Sequence, residues 1–211
     1  MIPGQIRNII FDFGGVLFEI DYDLPAQAFE KLGFFGYRET YTQAHQNPIY
    51  DLLETGKVSN EEFLNYLHSL VPHATEAQVA HAWNVILLHI MPEEVTHVKR
   101  IRDAGYRTFL LSNTNAIHVT EFERMIAETM DFEFFRSAFE AIYYSNVIGF
   151  RKPHPEIFLQ ICDWNNLNVK ETLFIDDSEQ HVLGAAKAGL HTHHLKPGQR
   201  ISAIMKQWID Y

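Results

Sequence analysis

The sequence predicts an α/β protein, a parallel sheet flanked by helices, with a helical insertion after the first strand. Three observations predict it. Short apolar runs recur along the 211 residues, each bounded by turn or polar residues, as in strands buried on both faces. Helical patterns alternate with them, which suits a parallel sheet. The first two runs end near Asp12 and Ser112. One strand–helix–strand unit needs about 30 residues, so about 70 remain for an inserted unit.

The first strand is expected over residues 6–11. Asp23-Leu24-Pro25 opens a helix that stops at Gly33. Ser59-Asn60-Glu61-Glu62 and Thr75-Glu76-Ala77-Gln78 are capping-box signatures, the second leading into one helical run that ends near Ile90. Pro92 starts the next helix and Gly105 lies just past its end. Strands follow over 108–111, 141–144 and 172–175, with a weaker one over 191–195. Pro155 opens a helix, and another runs from Ser178 to Ala188 before Gly189. The aromatic stretch 132–139 reads as core packing before the third strand. The core is therefore placed at residues 1–20 and 92–211, and the helical insertion at 21–91.

Composition narrows the function classes. Hydrophobic residues make up 46% and charged residues 21%, which suits a globular chain. The 17 basic and 27 acidic residues leave a net charge of −10, which argues against a nucleic-acid module. It leaves room for a small phosphorylated ligand held by local cations. The single cysteine, Cys162, excludes an intrachain disulfide framework and a CxxC zinc site; its apolar surroundings make it a core residue. No apolar run has the length of a membrane span and no signal-peptide pattern opens the chain, so a soluble cytoplasmic protein is expected. No internal repeat or low-complexity tract is present, and the oligomeric state stays open.

In an open parallel sheet, ligands bind beyond the carboxyl ends of the strands. Those ends carry Asp12, Ser112-Asn113, Lys152 and Asp176-Asp177. Taken singly, Asp12 reads equally as a strand-end polar residue, Ser112-Asn113 and Asp176-Asp177 as helix N-caps, and Lys152 as a solvated lysine. The set is more specific: three carboxylates, an ammonium and a hydroxyl on one sheet edge. Adjacent acids repel unless a cation neutralises them. Metal-assisted phosphoryl transfer needs this combination. A carboxylate attacks phosphorus, a hard cation takes oxygen ligands, and hydroxyl, amide and lysine groups hold the phosphate.

Ile9-Ile10-Phe11-Asp12-Phe13-Gly14-Gly15-Val16-Leu17, Leu111-Ser112-Asn113-Thr114-Asn115, Gly149-Phe150-Arg151-Lys152-Pro153 and Phe174-Ile175-Asp176-Asp177-Ser178 occur in this order, followed by Gly184-Ala185-Ala186 and Ala188-Gly189. Together they resemble the haloacid dehalogenase superfamily over the whole core. Within it the chain looks most like the α-D-glucose-1-phosphate phosphatase branch, which the segment Glu54-Thr55-Gly56-Lys57-Val58-Ser59 before Glu62-Phe63 also fits. The resemblance implies a Rossmann-like three-layer core and a helical cap that closes over a small phosphate ester. It implies Asp12 as nucleophile and Mg²⁺ ligand, with the Gly14 carbonyl and Asp177 as further ligands. Ser112 and the Asn113 amide would bind phosphate, and Lys152 would hold both nucleophile and phosphate. Asp176 would ligate through water or orient Lys152.

Two departures matter. Most phosphatases of the superfamily carry an acid–base aspartate two residues after the nucleophile, where this chain has Gly14; the glucose-1-phosphate branch also has glycine. Glu19 and Asp21 are candidate substitutes, or else hinge and cap residues. His181 stands where many relatives have an acid or amide; it is expected on a helix surface, with contact to the metal's water shell as the sharper alternative. His191, His193 and His194 are expected at a polar strand end, with a metal site as the sharper alternative. His45, Tyr41 and Tyr50 either line the substrate pocket or pack inside the insertion. The leading expectation is a Mg²⁺-dependent phosphatase of small metabolites, with sugar phosphates such as glucose 1-phosphate as substrates. The alternatives are a metal-independent haloacid dehalogenase and a phosphate-binding protein on a degenerate core. A mutase is disfavoured, because it needs the acid–base group that Gly14 lacks.

Overall fold

The computed structural model describes residues 5–41 and 47–210. It opens with β1 (Asn8–Phe11) and β2 (Phe18–Ile20), followed by five helices: α1 (Asp23–Lys31), α2 (Tyr37–Thr40), α3 (Pro48–Glu54), α4 (Asn60–Leu70) and α5 (Glu76–Asn84). β3 (Leu87–Ile90), α6 (Pro92–Asp103), β4 (Arg107–Ser112), α7 (Ala116–Thr129), α8 (Phe132–Ser137) and β5 (Ala141–Tyr144) come next. The chain then forms α9 (Ser145–Ile148), α10 (Pro155–Trp164), β6 (Thr172–Asp176), α11 (Glu179–Lys187), β7 (His191–His194) and α12 (Ile201–Ile204).

Five strands pair in the order β5-β4-β1-β6-β7, every neighbour parallel. β1 is central, with Asn8 opposite Arg107 on one side and Thr172 on the other. Its apolar run does not alternate with polar residues because both faces are covered. Ile9 and Phe11 join Leu110, Leu173, Val98 and Phe122 in one core cluster. Ile10 joins Phe109, Phe174, Phe158 and Cys162 on the other face. Helix, sheet and helix thus form three layers, and Cys162 is a core residue as expected. Phe135 and Phe139 lie in the first cluster, as the aromatic stretch predicted. Burying each such ring contributes about 1.5–3 kcal/mol.

The helices between β2 and β3 have their own core, which includes Phe29, Tyr37, Tyr50, Phe63 and Trp83. Both predicted capping boxes form. Ser59 Oγ accepts from the Glu62 amide at 3.1 Å while Glu62 Oε2 accepts from the Ser59 amide at 2.9 Å. Thr75 and Gln78 do the same at 3.2 and 2.8 Å. Such a cap is worth about 1 kcal/mol.

One expectation fails. The second box does not lead into a single helix ending near Ile90: α5 stops at Asn84, and Leu87–Ile90 is a strand. It pairs antiparallel with β2, Phe18 opposite Ile90. Apolar residues over 85–90 suit helix or strand, and the partner strand, distant in sequence, decides between them. Among the described residues, no helix is long and apolar enough to cross a membrane.

Candidate active site

Asp12 follows β1 at the carboxyl edge of the sheet. Its amide donates to the Ile175 carbonyl at 2.9 Å, and its Oδ1 accepts from the Phe13 amide at 2.7 Å. Lys152 arrives from the loop before α10 with its side chain fully buried. Its Nζ lies 2.6 Å from Asp12 Oδ1 and 2.7 Å from Asp176 Oδ2. Asn113 fixes that loop: its Nδ2 donates to the Lys152 carbonyl and its Oδ1 accepts from the Lys152 amide, both at 2.9 Å. The side chain of Asn113 therefore places Lys152, and Ser112 precedes it at the end of β4. Asp176 Oδ1 accepts from the Ser178 amide at 2.7 Å, and His181 Nδ1 lies 3.0 Å from Oδ2. The hydrogen-bonded chain runs His181, Asp176, Lys152, Asp12.

The turn after Asp12 is shaped for one neighbour. Gly15 has φ +72°, and a Cβ there would meet Asp177 Oδ2 at 2.4 Å. Gly15 thus lets the Asp177 carboxylate press against the backbone of the turn that follows Asp12. At Gly14 a Cβ would lie 2.7 Å from Ile20 Cδ1, so hydrocarbon fills the direction a side chain would take.

The electrostatics follow from burial. Burial pushes the Asp12 carboxyl well up, and the charges of Asp176 and Asp177 push it further, with Lys152 only partly offsetting them. Burial likewise opposes ionisation of Asp176, but Lys152 and His181 outweigh it and hold its carboxyl below the ordinary range. Burial acts to lower Lys152, and the two carboxylates beside it leave its ammonium above the ordinary range. Three carboxylates against one ammonium leave surplus negative charge, which a hard divalent cation on oxygen ligands would neutralise. One atom each from Asp12, Asp176 and His181 lies within 4.8 Å of the others. Asp176 and His181 are engaged with Lys152 and with each other. Asp12, engaged through Oδ1, and Asp177 are carboxylates on the cavity that could take such a cation.

A cavity of about 70 Å³ opens over these groups. Its polar floor includes Asp12, Ser112, Asn113, Thr114, Lys152 and Asp177, and its cover is Ile20, Tyr22, Tyr41, Ile86 and Leu87.

The family model for haloacid dehalogenase-like hydrolases matches residues 6–189. The chain belongs to that family. The hydrolase is 31% identical over 200 residues to a D-ribitol-5-phosphate phosphatase of Bacteroides thetaiotaomicron, covering 92% of this chain and 94% of the relative. It is also similar to a haloacid dehalogenase family enzyme of that organism crystallised with magnesium and inorganic phosphate. There the TM-score is 0.85 at 28% identity, with 95% and 98% of the two chains covered. A predicted hydrolase of the same superfamily from Porphyromonas gingivalis superposes with a TM-score of 0.83 at 31% identity, covering 97% and 98%.

In this hydrolase the predicted residues Asp12, Gly14, Ser112, Asn113, Lys152 and Asp177 all line the one cavity, and Asp176 lies behind Lys152. The N-cap alternatives move elsewhere. Asn115 caps α7, its Oδ1 accepting from the Ile117 and His118 amides at 3.1 and 3.0 Å. Ser178 is the N-cap of α11. Lys152 is not a solvated surface lysine.

His181 is corrected: it is buried on the cavity side of α11, because Asp176 five residues earlier captures its ring. Glu19 and Asp21 do not line the cavity. Glu19 sits on β2 opposite His89, and Asp21 Oδ1 accepts from the Asp23 amide at 2.8 Å, a helix-start contact. Tyr41 lines the pocket, whereas Tyr50 packs inside the inserted helices with its hydroxyl 3.2 Å from Thr40 Oγ1. His45 lies outside the described residues. The three histidines near β7 do not converge. His191 contacts the Lys170 carbonyl at 2.9 Å, His193 accepts from Trp208 Nε1 at 3.3 Å, and His194 contacts the Asp177 carbonyl at 2.9 Å.

Three features escaped the sequence. Tyr22 lines the cavity from the N-cap of α1, just past the unpredicted strand β2. Arg151, inside the quoted third motif, reaches the insertion, pairing with Asp51 and, at 3.0 Å, with buried Glu54. His118 stacks on Trp83 with ring centroids 4.6 Å apart.

Proposed function

We propose that this hydrolase is a Mg²⁺-dependent phosphatase of small phosphorylated metabolites, acting through an aspartyl-phosphate on Asp12. The observation that carries the reading is the buried chain from Asp176 through Lys152 to Asp12, with Asp177 beside the nucleophile's turn. The phosphatase relative and the magnesium and phosphate complex of the similar enzyme support it.

Lys152 and the Phe13 amide hold Asp12 Oδ1 and so fix the plane of the carboxylate. A carboxylate oxygen of Asp12 attacks phosphorus as the bond to the leaving oxygen breaks. Water then attacks the phosphorus of the aspartyl-phosphate, releasing inorganic phosphate and restoring the Asp12 carboxylate. Ser112 Oγ and the Asn113 amide bind phosphate oxygens, Lys152 offsets their charge, and Asp176 positions Lys152. Asp12, Asp177 and the Gly14 carbonyl would hold the Mg²⁺, which offsets repulsion between the attacking carboxylate and the phosphate.

Residues 21–91 act as a cap over the cavity, excluding water and selecting the leaving group. Sugar and sugar-alcohol phosphates are the proposed substrates, with glucose 1-phosphate the candidate that the sequence motifs favour. The surplus of buried carboxylates favours this chemistry over metal-free dehalogenation.

The test is phosphate release from p-nitrophenyl phosphate, glucose 1-phosphate and ribitol 5-phosphate, with Mg²⁺ and with EDTA, for wild type and Asp12→Asn. Turnover that needs Mg²⁺ and vanishes in the variant is expected. Metal-independent turnover surviving in Asp12→Asn would overturn the mechanism. Phosphate binding without turnover of any ester would favour a degenerate core.

A further inference from the structure

The inference rests on the phosphatase reading and concerns the leaving group. Breaking the bond from phosphorus to an alkyl oxygen leaves charge on that oxygen, and a preorganised donor there accelerates the step. Gly14 offers no side chain, and the Ile20 methyl group at 2.7 Å fills the direction one would take. The donor must therefore come from elsewhere on the cavity wall.

Of the lining residues beyond the polar floor, His118 is engaged with Asn115 and Trp83, His181 is held by Asp176, and the others apart from two are hydrocarbon; those two are Tyr22 and Tyr41. The two rings pack together with centroids 5.9 Å apart, but they sit in different fields. The Tyr22 phenol feels Asp12, Asp176 and Asp177 as well as Glu54. Tyr41 feels chiefly Glu54, Tyr22, Tyr37 and Arg151. Tyr22 lies two residues beyond Ile20, at the N-cap of α1. The intervening Asp21 turns to the start of α1.

We propose that the Tyr22 hydroxyl donates a hydrogen bond to the leaving-group oxygen, the task Gly14 cannot perform. As Asp12 bonds to phosphorus and the phosphorus–oxygen bond breaks, the electron pair passes to the leaving oxygen, where the phenol stabilises it. Tyr22 keeps its own proton, and the departing alcohol takes one from water. Burial, reinforced by the charge of Glu54, holds the phenol well above its ordinary range, so it remains a neutral donor throughout the working pH range. Tyr22 is then a catalytic residue for alkyl esters and less needed for esters whose leaving group already bears charge well.

The experiment compares Tyr22→Phe with wild type on glucose 1-phosphate, ribitol 5-phosphate and p-nitrophenyl phosphate, with Mg²⁺ present. Loss of one transition-state donor costs about 10²-fold in kcat. That loss is expected on ribitol 5-phosphate, whose alkoxide leaves poorly, and a far smaller one on p-nitrophenyl phosphate. Glucose 1-phosphate, with its anomeric oxygen, should fall between them. The ring is retained, and an equal rise in Tm with inorganic phosphate and Mg²⁺ for both proteins will show the site intact. Equal losses on all three esters, or none, would overturn the assignment while leaving the phosphatase reading standing. A wild type inactive on every ester would overturn both.

Discussion

Lys152 and His118 show how burial converts ordinary side chains into committed ones. Lys152 has no solvent contact and two carboxylates within 2.7 Å, so its charge is held by the site. His118 takes the opposite course. Asn115 Oδ1 is engaged with the start of α7, so Nδ2 donates to His118 Nδ1 at 3.1 Å, and Nε2 donates to the Trp83 carbonyl at 3.3 Å. Burial pulls this imidazole down to about 4, from an ordinary value near 6.5. Between those values the unfolded chain binds more protons than the folded one, so stability falls as pH falls through that window. The full shift corresponds to about 3 kcal/mol. His118→Leu removes the titrating ring. Urea unfolding at about pH 7 and about pH 4.5 should show a smaller loss on acidification in the variant than in wild type. An equal loss would place the acid sensitivity elsewhere.

At the scale of elements, what is local was legible in the sequence. Both capping boxes depend on residues three apart and formed as read. The parallel strands were legible because burial on both faces leaves continuous apolar runs, whose polar ends fall on one edge of the sheet. β2 and β3 were not legible: three or four residues each, they are selected by pairing across some 70 positions, about two strand–helix–strand units. His181 was misread because its partner, Asp176, lies before the helix that carries it. The turn between β1 and β2 is where element geometry bears most directly on chemistry. Gly15→Ala would strain a backbone at φ +72° and drive a Cβ into Asp177 Oδ2. The expected cost is about 1–2 kcal/mol of stability, together with a clear loss of Mg²⁺ affinity. Calorimetric titration with Mg²⁺ beside a thermal melt checks both; unchanged affinity would remove Asp177 from the metal site.

At the scale of the molecule, an ion pair and a ring stack are among the contacts that join the inserted helices to the core. Arg151, next to Lys152, pairs with Asp51 and Glu54 of α3, and His118 of α7 stacks on Trp83 of α5. The first matters more, because Glu54 is only 4% exposed. Removing one partner of a buried pair costs about 3–5 kcal/mol, since the other charge stays unpaired. Arg151→Met should therefore loosen the cap and speed limited proteolysis within residues 21–91, while the sheet resists cleavage. Wild-type cleavage rates in the variant would show that the cap docks without this pair.

The pairing of β2 with β3 has a consequence for how the chain is threaded. Where the inserted helices begin and end, the Asp21 amide donates to the Ile86 carbonyl at 3.0 Å. The Met91 amide likewise reaches the Leu17 carbonyl at 2.9 Å. Entry and exit of the insert are thus one hydrogen bond apart. To the five-stranded core, everything between them is topologically a hairpin loop. Loop-closure cost grows only with the logarithm of length, about 0.6 kcal/mol per doubling. The length of the insert can therefore vary with little effect on closing the sheet around it.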